Sequence, residues 1–311
     1  MEGLQKYSRK KFLKQLSFAG GAIALSSLPY DLLAAAGTTK ITILHTNDTH
    51  SRIDPFPMSD PKFGGMGGVA KRMQIIKKIR SEEKNVLLLD SGDIFQGTPY
   101  FNFYGGELEI KLMSAMQYDA STMGNHDFDG GIEGFAKQLP HANFPFLCGN
   151  YDFSKTILAG KTQSYKIFTK DKIKIGVFGV GIELQGLVDE KCFGKTIYND
   201  PLETANRLSK QLKEDEKCDL VICLSHLGYR YDGSKKISDA VLAEQSRNID
   251  LILGGHTHTF LDTPEQFKNL EGRKVLVAQT GFGGIRLGRI DFFIDCRSGK
   301  ISHENNTVKI S

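Results

Sequence analysis

Gly124-Asn125-His126-Asp127-Phe128-Asp129 is the stretch on which the reading of this chain turns. It places an amide, an imidazole and two carboxylates directly after the run Ser121-Thr122-Met123. Glycine lets the backbone leave a strand sharply, so the side chains that follow can be aimed at one point. Asn and Asp are ordinary turn residues, so the cluster acquires meaning only from complementary clusters elsewhere in the chain.

Four such clusters exist, each at the end of a short apolar run that reads as a buried strand. Ile43-Leu44 leads into Asn47-Asp48-Thr49-His50, and Leu87-Leu88-Leu89 into Ser91-Gly92-Asp93. Val221-Ile222-Cys223-Leu224 leads into Ser225-His226, and Leu251-Ile252-Leu253 into Gly254-Gly255-His256-Thr257-His258. In open α/β sheets the carboxyl ends of strands line the ligand crevice, so the five clusters are expected to meet. Together they supply Asp48, His50, Asp93, Asn125, His226, His256 and His258, with His126 and Asp129 close by. A mixed imidazole and carboxylate set suits borderline divalent metals such as zinc, manganese, iron, cobalt or nickel. Seven ligands are too many for one ion. A shared carboxylate would let them hold two ions ~3.5–4 Å apart, the spacing that activates water and clamps a phosphoryl group. His256 and His258 would share a face on a strand but could serve different ions in a tight turn. No cysteine takes part, which excludes a structural zinc ribbon.

The segments between these clusters alternate in type. Val69 to Ile79 carries apolar residues at helical spacing with basic residues between, and Lys77-Lys78-Ile79-Arg80 reads as a solvated face. Leu108–Met116 and Ser238–Gln245 read as further helices, and Asp200-Pro201 opens another to about Lys217, with Pro at the first helical position. Tyr165–Phe168 and Ile173–Val180 form a hairpin turned at Asp171-Lys172, and strands dominate from Lys274 onward, at Val275–Ala278, Arg289–Ile294 and Asn306–Ile310. The pattern predicts an α/β fold, a mixed sheet or two packed sheets with helices outside.

Residues 1–36 read as an address. Tyr7 to Lys14 is basic, Leu16 to Leu28 is weakly apolar, and Ala34-Ala35-Ala36 is a small-residue cleavage signal. The apolar run is too short for a stable membrane span. Ser8-Arg9-Lys10-Lys11-Phe12-Leu13-Lys14 resembles a twin-arginine signal, with Lys10 where a second Arg is usual. The expectation is an exported or periplasmic protein whose mature part, residues 37–311, is one catalytic domain. This segment also accounts for most of the formal charge: it holds +3 of the chain's +4, and the nearly neutral remainder gives no reason to invoke nucleic acid. The five cysteines form no metal-binding spacing, and their odd number leaves at least one free; Cys148 and Cys223 sit in apolar runs as small buried residues.

The five motifs, in this order across residues 43–258, resemble the calcineurin-like metallophosphoesterases, and His45-Thr46-Asn47-Asp48-Thr49-His50 with Gly124 to Asp129 resembles the catalytic domain of the 5′-nucleotidase branch. The resemblance implies a four-layer α/β/β/α sandwich. It implies that Asp48, His50 and His258 hold one metal, that Asn125, His226 and His256 hold the other, and that Asp93 bridges them. His126 with Asp129 resembles the family's catalytic pair, and the implied reaction is attack of a metal-bound hydroxide on a phosphate monoester, nucleotides foremost. Asp127 departs from the Glu usual in this branch, and His258 from a frequent Gln. The branch also carries a C-terminal substrate-binding domain for which residues 259–311 leave no room, so either a separately encoded partner domain supplies the substrate contacts or the enzyme is less selective. Two other functions fit the motifs: a dimanganese thiohydrolase of sulfur metabolism, and a metal-binding subunit without catalysis, against which the His126–Asp129 pair argues.

Several residues have modest expected roles. His45 is structural, and His141 and His303 lie at the surface. Asp90, Asp119 and Asp127 are turn or cap residues. Arg52 is either idle or a phosphate contact, and Gly281-Phe282-Gly283-Gly284 is either a tight turn or a backbone approach to the site. Tyr100-Phe101-Asn102-Phe103-Tyr104 is either an aromatic rim for a base or a helix start packed on the sheet.

Overall fold

The computed structural model describes residues 37–233 and 236–311. The expected leader, residues 1–36, therefore lies outside the described residues. The chain begins with β1 (Thr38–Thr46), α1 (Val69–Glu82), β2 (Val86–Asp90), α2 (Pro99–Tyr104), α3 (Glu107–Ala115), β3 (Ala120–Ser121) and α4 (Gly131–Gln138). It continues with β4 (Tyr151–Asp152), β5 (Tyr165–Lys170), β6 (Ile173–Gly181), α5 (Glu190–Phe193), β7 (Ile197–Tyr198), α6 (Pro201–Lys210), β8 (Leu220–His226), α7 (Asp239–Gln245) and β9 (Leu251–Leu253). Strands β10 (Glu265–Lys268), β11 (Lys274–Ala278), β12 (Arg286–Asp295), β13 (Ile301–Asn305) and β14 (Val308–Lys309) complete it.

Two sheets of six strands form. One has the order β13-β12-β1-β2-β3, with β14 pairing on β12, and the other has the order β10-β11-β9-β8-β6-β5. Within them β1, β2 and β3 run parallel, as do β6, β8, β9 and β11. Their carboxyl ends therefore lie along one side of each sheet.

Side chains alternate across each strand, which sorts the apolar residues into separate cores. Ile41, Ile43, Leu87 and Leu89 face Leu220, Ile222, Leu224, Leu251 and Leu253 between the sheets. From the same strands, Leu44 and Leu88 point outward onto Ile76 and Ile79 of α1, Ile110 and Met113 of α3, and Ile132 and Phe135 of α4. On the far side Val221, Cys223 and Ile252 meet Ala205 and Leu208 of α6 and Leu242 and Ala243 of α7. Three cores separate four layers, helix, sheet, sheet and helix. Each fully buried Ile or Leu contributes about 1.5–3 kcal/mol of apolar transfer. All these strand residues are at 0% exposure, so the sheets cannot slip without exposing them.

Local signals explain the boundaries. Asp200 caps α6, its carboxylate accepting from the Glu203 amide at 2.8 Å, with Pro201 next. The helix is shorter than the expected span to Lys217; it ends at Lys210 and continues as a wider π turn over Gln211–Asp215. Asp171 and Lys172 both take left-handed conformations (φ 46° and 74°), the requirement of the two-residue turn between β5 and β6. All five cysteines are free thiols, with Cys148 and Cys223 buried as expected. No described helix is long and apolar enough to cross a membrane.

Candidate dimetal site

The five clusters converge, and they do so from both sheets. Asp48, His50, Asp93 and Asn125 come from the ends of β1, β2 and β3; His226 ends β8, and His256 and His258 follow β9. The backbone reaches this arrangement by unusual means. Asp48, His50, Asp93, His256 and His258 all have positive φ, between 48° and 73°. Non-glycine residues pay about 1–2 kcal/mol each for that conformation, so the surrounding packing must enforce it. Glycine is required where loops cross. A Cβ on Gly124 would lie 2.1 Å from Asp93 Oδ1, and one on Gly255 would lie 2.8 Å from His226 Nδ1.

Two groups of donor atoms result. Asp48, His50, Asp93 and His258 form one, and Asp93, His226 and His256 the other, with Asp93 common to both. Asn125 Oδ1 joins the second group, 2.8 Å from His256 Nδ1. His256 and His258 therefore divide between the groups, as a turn allows and a strand would not.

The donor set fits metal ions. His226 is fully buried, and its Nδ1 lies 2.6 Å from the Ser91 carbonyl oxygen, to which it donates as an N–H. That leaves Nε2 aimed at Asp93 Oδ2, 3.2 Å away, and Asp48 Oδ1, 4.0 Å away. This is the pattern of a ligating imidazole oriented by a backbone carbonyl. Burial works to lower the His226 pKa, yet the Asp93 and Asp48 carboxylates and the Ser91 carbonyl lift it to about 10. The pocket thus demands positive charge, which a divalent ion supplies in place of a proton. His50 Nε2 and His258 Nε2 face each other at 2.9 Å and lie 3.8 Å and 3.3 Å from Asp48 Oδ1. Burial and the neighbouring His226 drop the His256 pKa to about 3, keeping a lone pair available.

His126 stands at the rim. It begins a single 3₁₀ turn, and its Nδ1–H donates to Asp129 Oδ2 at 2.8 Å. The Asp129 hydrogen bond raises the His126 pKa against partial burial. The imidazole centroid lies 5.3 Å from that of His50, and the side chain is 39% exposed, so it can reach a molecule held beside the two donor groups.

Three supports did not stand out in the sequence. Asp127, expected as a turn residue, is fully buried and accepts four amides: Asp93 and Gly124 at 2.9 and 2.8 Å through Oδ2, and Ile94 and Phe95 at 2.9 and 3.2 Å through Oδ1. It pins the Asp93 loop to the Gly124 loop. Asn47 donates through Nδ2 to Asp48 Oδ2 and to the Gly281 carbonyl, both at 2.6 Å, and so ties the first motif to the last loop. Phe282 stacks on the His258 ring at 5.1 Å. Gly281 to Gly284 is accordingly both a turn and a backbone approach, with Gly283 N donating to the Asp48 carbonyl at 2.7 Å.

Other expected residues find plain roles. Arg52 lies over the Phe56 ring at 4.2 Å. His45 is buried, and burial drops its pKa to about 3, the behaviour of a structural histidine. Asp90 accepts from Thr46, Gly92 and Ser121, and Asp119 from the Leu88 amide. Helix α2 turns Phe101 inward, where it packs on the core and stacks on buried Phe95 at 5.3 Å, so the reading as a packed helix start holds for that residue while the rest of the segment faces outward. Phe103 is 81% exposed, Tyr100 and Tyr104 stack at 6.5 Å, and with Arg52, Pro55 and Pro57 they line a cleft of about 440 Å³.

Residues 41–260 match the family pattern described as calcineurin-like phosphoesterase, a span that contains all five clusters. The chain belongs to this family. The chain is 31% identical to the snake venom 5′-nucleotidase of Crotalus adamanteus over 90% of its own length and 50% of that protein. It is 37% identical to the 5′-nucleotidase of Vibrio vulnificus over 72% of its own length and 41% of that protein. The crystal structure of a 5′-nucleotidase precursor from Thermus thermophilus superposes with a TM-score of 0.79 and 30% identity, over 88% of this chain and 55% of that one. The chain thus spans about half the length of these relatives, and its fold superposes on that of the Thermus protein.

Proposed function

We propose that this chain hydrolyses phosphate monoesters, nucleotides foremost, at a site built for two divalent ions. The observation that carries the proposal is Asp93, whose carboxylate belongs to both donor groups while the His126–Asp129 pair stands beside it. In this reading Asp48, His50, Asp93 and His258 hold one ion, and Asp93, Asn125, His226 and His256 hold the other. Such a pair of ions activates water and neutralises charge on the phosphoryl oxygens. His126, oriented by Asp129, donates a hydrogen bond or proton to the phosphoryl or leaving oxygen. Asp127, Asn47 and the Ser91 carbonyl hold the ligands in place, so little reorganisation accompanies binding.

The names of the relatives favour a nucleotide, and the exposed aromatic cleft at α2 gives a base somewhere to lie. The cleft adjoins the site, since Thr98 Oγ1 donates to the Ser51 carbonyl at 2.7 Å, one residue beyond His50. Further base and ribose contacts come, in this proposal, from a separate domain such as fills the remaining half of the relatives. The test is hydrolysis by the manganese-loaded protein of nucleoside 5′-monophosphates, glycerol phosphate and a phosphodiester. Monoester turnover is expected, and Phe103→Ala should raise KM for nucleotides by about tenfold while leaving glycerol phosphate unchanged, since base stacking contributes ~1–3 kcal/mol. Absence of monoesterase activity in the metal-loaded protein would overturn the proposal.

Export is proposed from the leader-like residues 1–36. N-terminal sequencing of the protein from its native host should begin near Gly37, and an intact Met1 would refute this.

A further inference from the structure

Helix α1 buries Val69, Arg72, Ile76 and Ile79. An arginine in that apolar stripe is out of place unless something holds its charge. Arg72 is 3% exposed, and its Nε and Nη1 have no hydrogen-bond partner. Its guanidinium is wedged against Gly284, where a Cβ would come within 1.8 Å of Nη1, so it has little room to swing away. Glu109, in the first turn of α3, is 4% exposed, and neither carboxylate oxygen has a partner. The Ser51 hydroxyl is also buried and unpaired, on the residue that follows His50 and shares its left-handed backbone (φ 51° and 48°). Three orphaned polar groups from three elements line one small, partly open cavity of about 10 Å³.

Unpaired buried charges are costly, and one of each sign around a shared void calls for a bridge. The volume matches a single water, which needs roughly 10–15 Å³ and two to four polar partners. Water also has the right chemistry. It accepts from a guanidinium and donates to a carboxylate or hydroxyl oxygen, whereas a cation is repelled by Arg72 and an anion by Glu109. We propose that this cavity binds one structural water joining Arg72, Glu109 and Ser51, and that Arg72 and Glu109 thereby act as positioning residues for the His50 loop. Through this water, α1 and α3 hold in register the strained turn that presents Asp48 and His50. The inference builds on the metal-site reading only in its last step; the water itself is independent of any catalytic activity.

A high-resolution crystal structure of the full protein tests the water directly. Density for one water within hydrogen-bonding distance of the Arg72 guanidinium and the Glu109 carboxylate is expected; a dry cavity, or Arg72 and Glu109 in direct contact, overturns the proposal. A double-mutant cycle reads the coupling. Arg72→Met and Glu109→Met should each lower Tm by roughly 6–10 °C, because each strands the opposite buried charge, and the double variant should lose less than their sum. Strictly additive losses would contradict a bridged pair. Calorimetric titration with Mn²⁺ reads the positioning: Glu109→Gln should bind about tenfold more weakly than the parent, the scale seen for groups that orient metal ligands. Unchanged Mn²⁺ affinity would remove the positioning role.

Discussion

Asp93→Asn will lose metal and phosphatase activity together. The substitution preserves size and shape but removes the charge from the one side chain common to both donor groups. Asp93 is 1% exposed; its Oδ2 lies 3.2 Å from His226 Nε2 and 3.8 Å from His50 Nε2, while its Oδ1 accepts from the His126 amide at 2.8 Å. Both histidines face Oδ2 and the His126 N–H faces Oδ1, so an amide must either set its NH₂ against that N–H or turn its NH₂ toward both donor groups, and an NH₂ cannot ligate. Two ions would then approach each other without the carboxylate that screens them. Turnover is expected to fall by about three orders of magnitude or more, because several kcal/mol of transition-state charge stabilisation depends on the pair. Elemental analysis of the variant after dialysis should find less than the parent's metal content; an unchanged content with unchanged turnover would refute the shared-carboxylate account.

His126→Asn separates chemistry from metal binding. His126 belongs to neither donor group; its ring donates to the Asp129 carboxylate and packs edge-on to His50, and its backbone amide donates to Asp93. An Asn side chain leaves that backbone contact in place. Metal content should stay at the parent value while turnover falls by roughly 10²–10⁴, the range for loss of a positioned acid or charge stabiliser. The loss should be larger for a poor alkyl leaving group than for a nitrophenolate, which departs without protonation. Equal turnover on the poor leaving group would take His126 out of the mechanism.

The contrast between what the sequence disclosed and what it concealed has a physical basis. Buried central strands advertise themselves as apolar runs, and the chemistry follows at their carboxyl ends, so Asp48, Asp93, His226 and His256 were legible from position alone. Strands β10 and β13 were not, because edge strands pair on one side only. Glu265-Gln266-Phe267-Lys268 and Ile301-Ser302-His303-Glu304-Asn305 expose polar side chains that read as loop. The split of the clusters between two sheets was not decided by any local pattern, since it depends on pairings such as Ile43 beside Ile290 across the chain. Asp127 illustrates the same limit at the site. A carboxylate in a Gly-Asn-His-Asp turn looks like a cap, and only the fold brings the amides of Asp93, Ile94 and Phe95 to it. Arg72 reads only as one of the basic residues between the apolar positions of α1, until α3 and the Gly284 turn cover it; of the run read as a solvated face, Lys77 and Lys78 are exposed, while Ile79 is buried and Arg80 is half-buried, donating to the Gln117 carbonyl and Asp119.

The central claim is that one buried carboxylate organises two ions. Anomalous diffraction from crystals of the manganese-loaded protein tests it most directly. The account predicts two peaks ~3.5–4 Å apart, one on either side of the Asp93 carboxylate, the first contacting Asp48, His50 and His258 and the second Asn125, His226 and His256. A single peak, or two peaks of which only one touches Asp93, would contradict it.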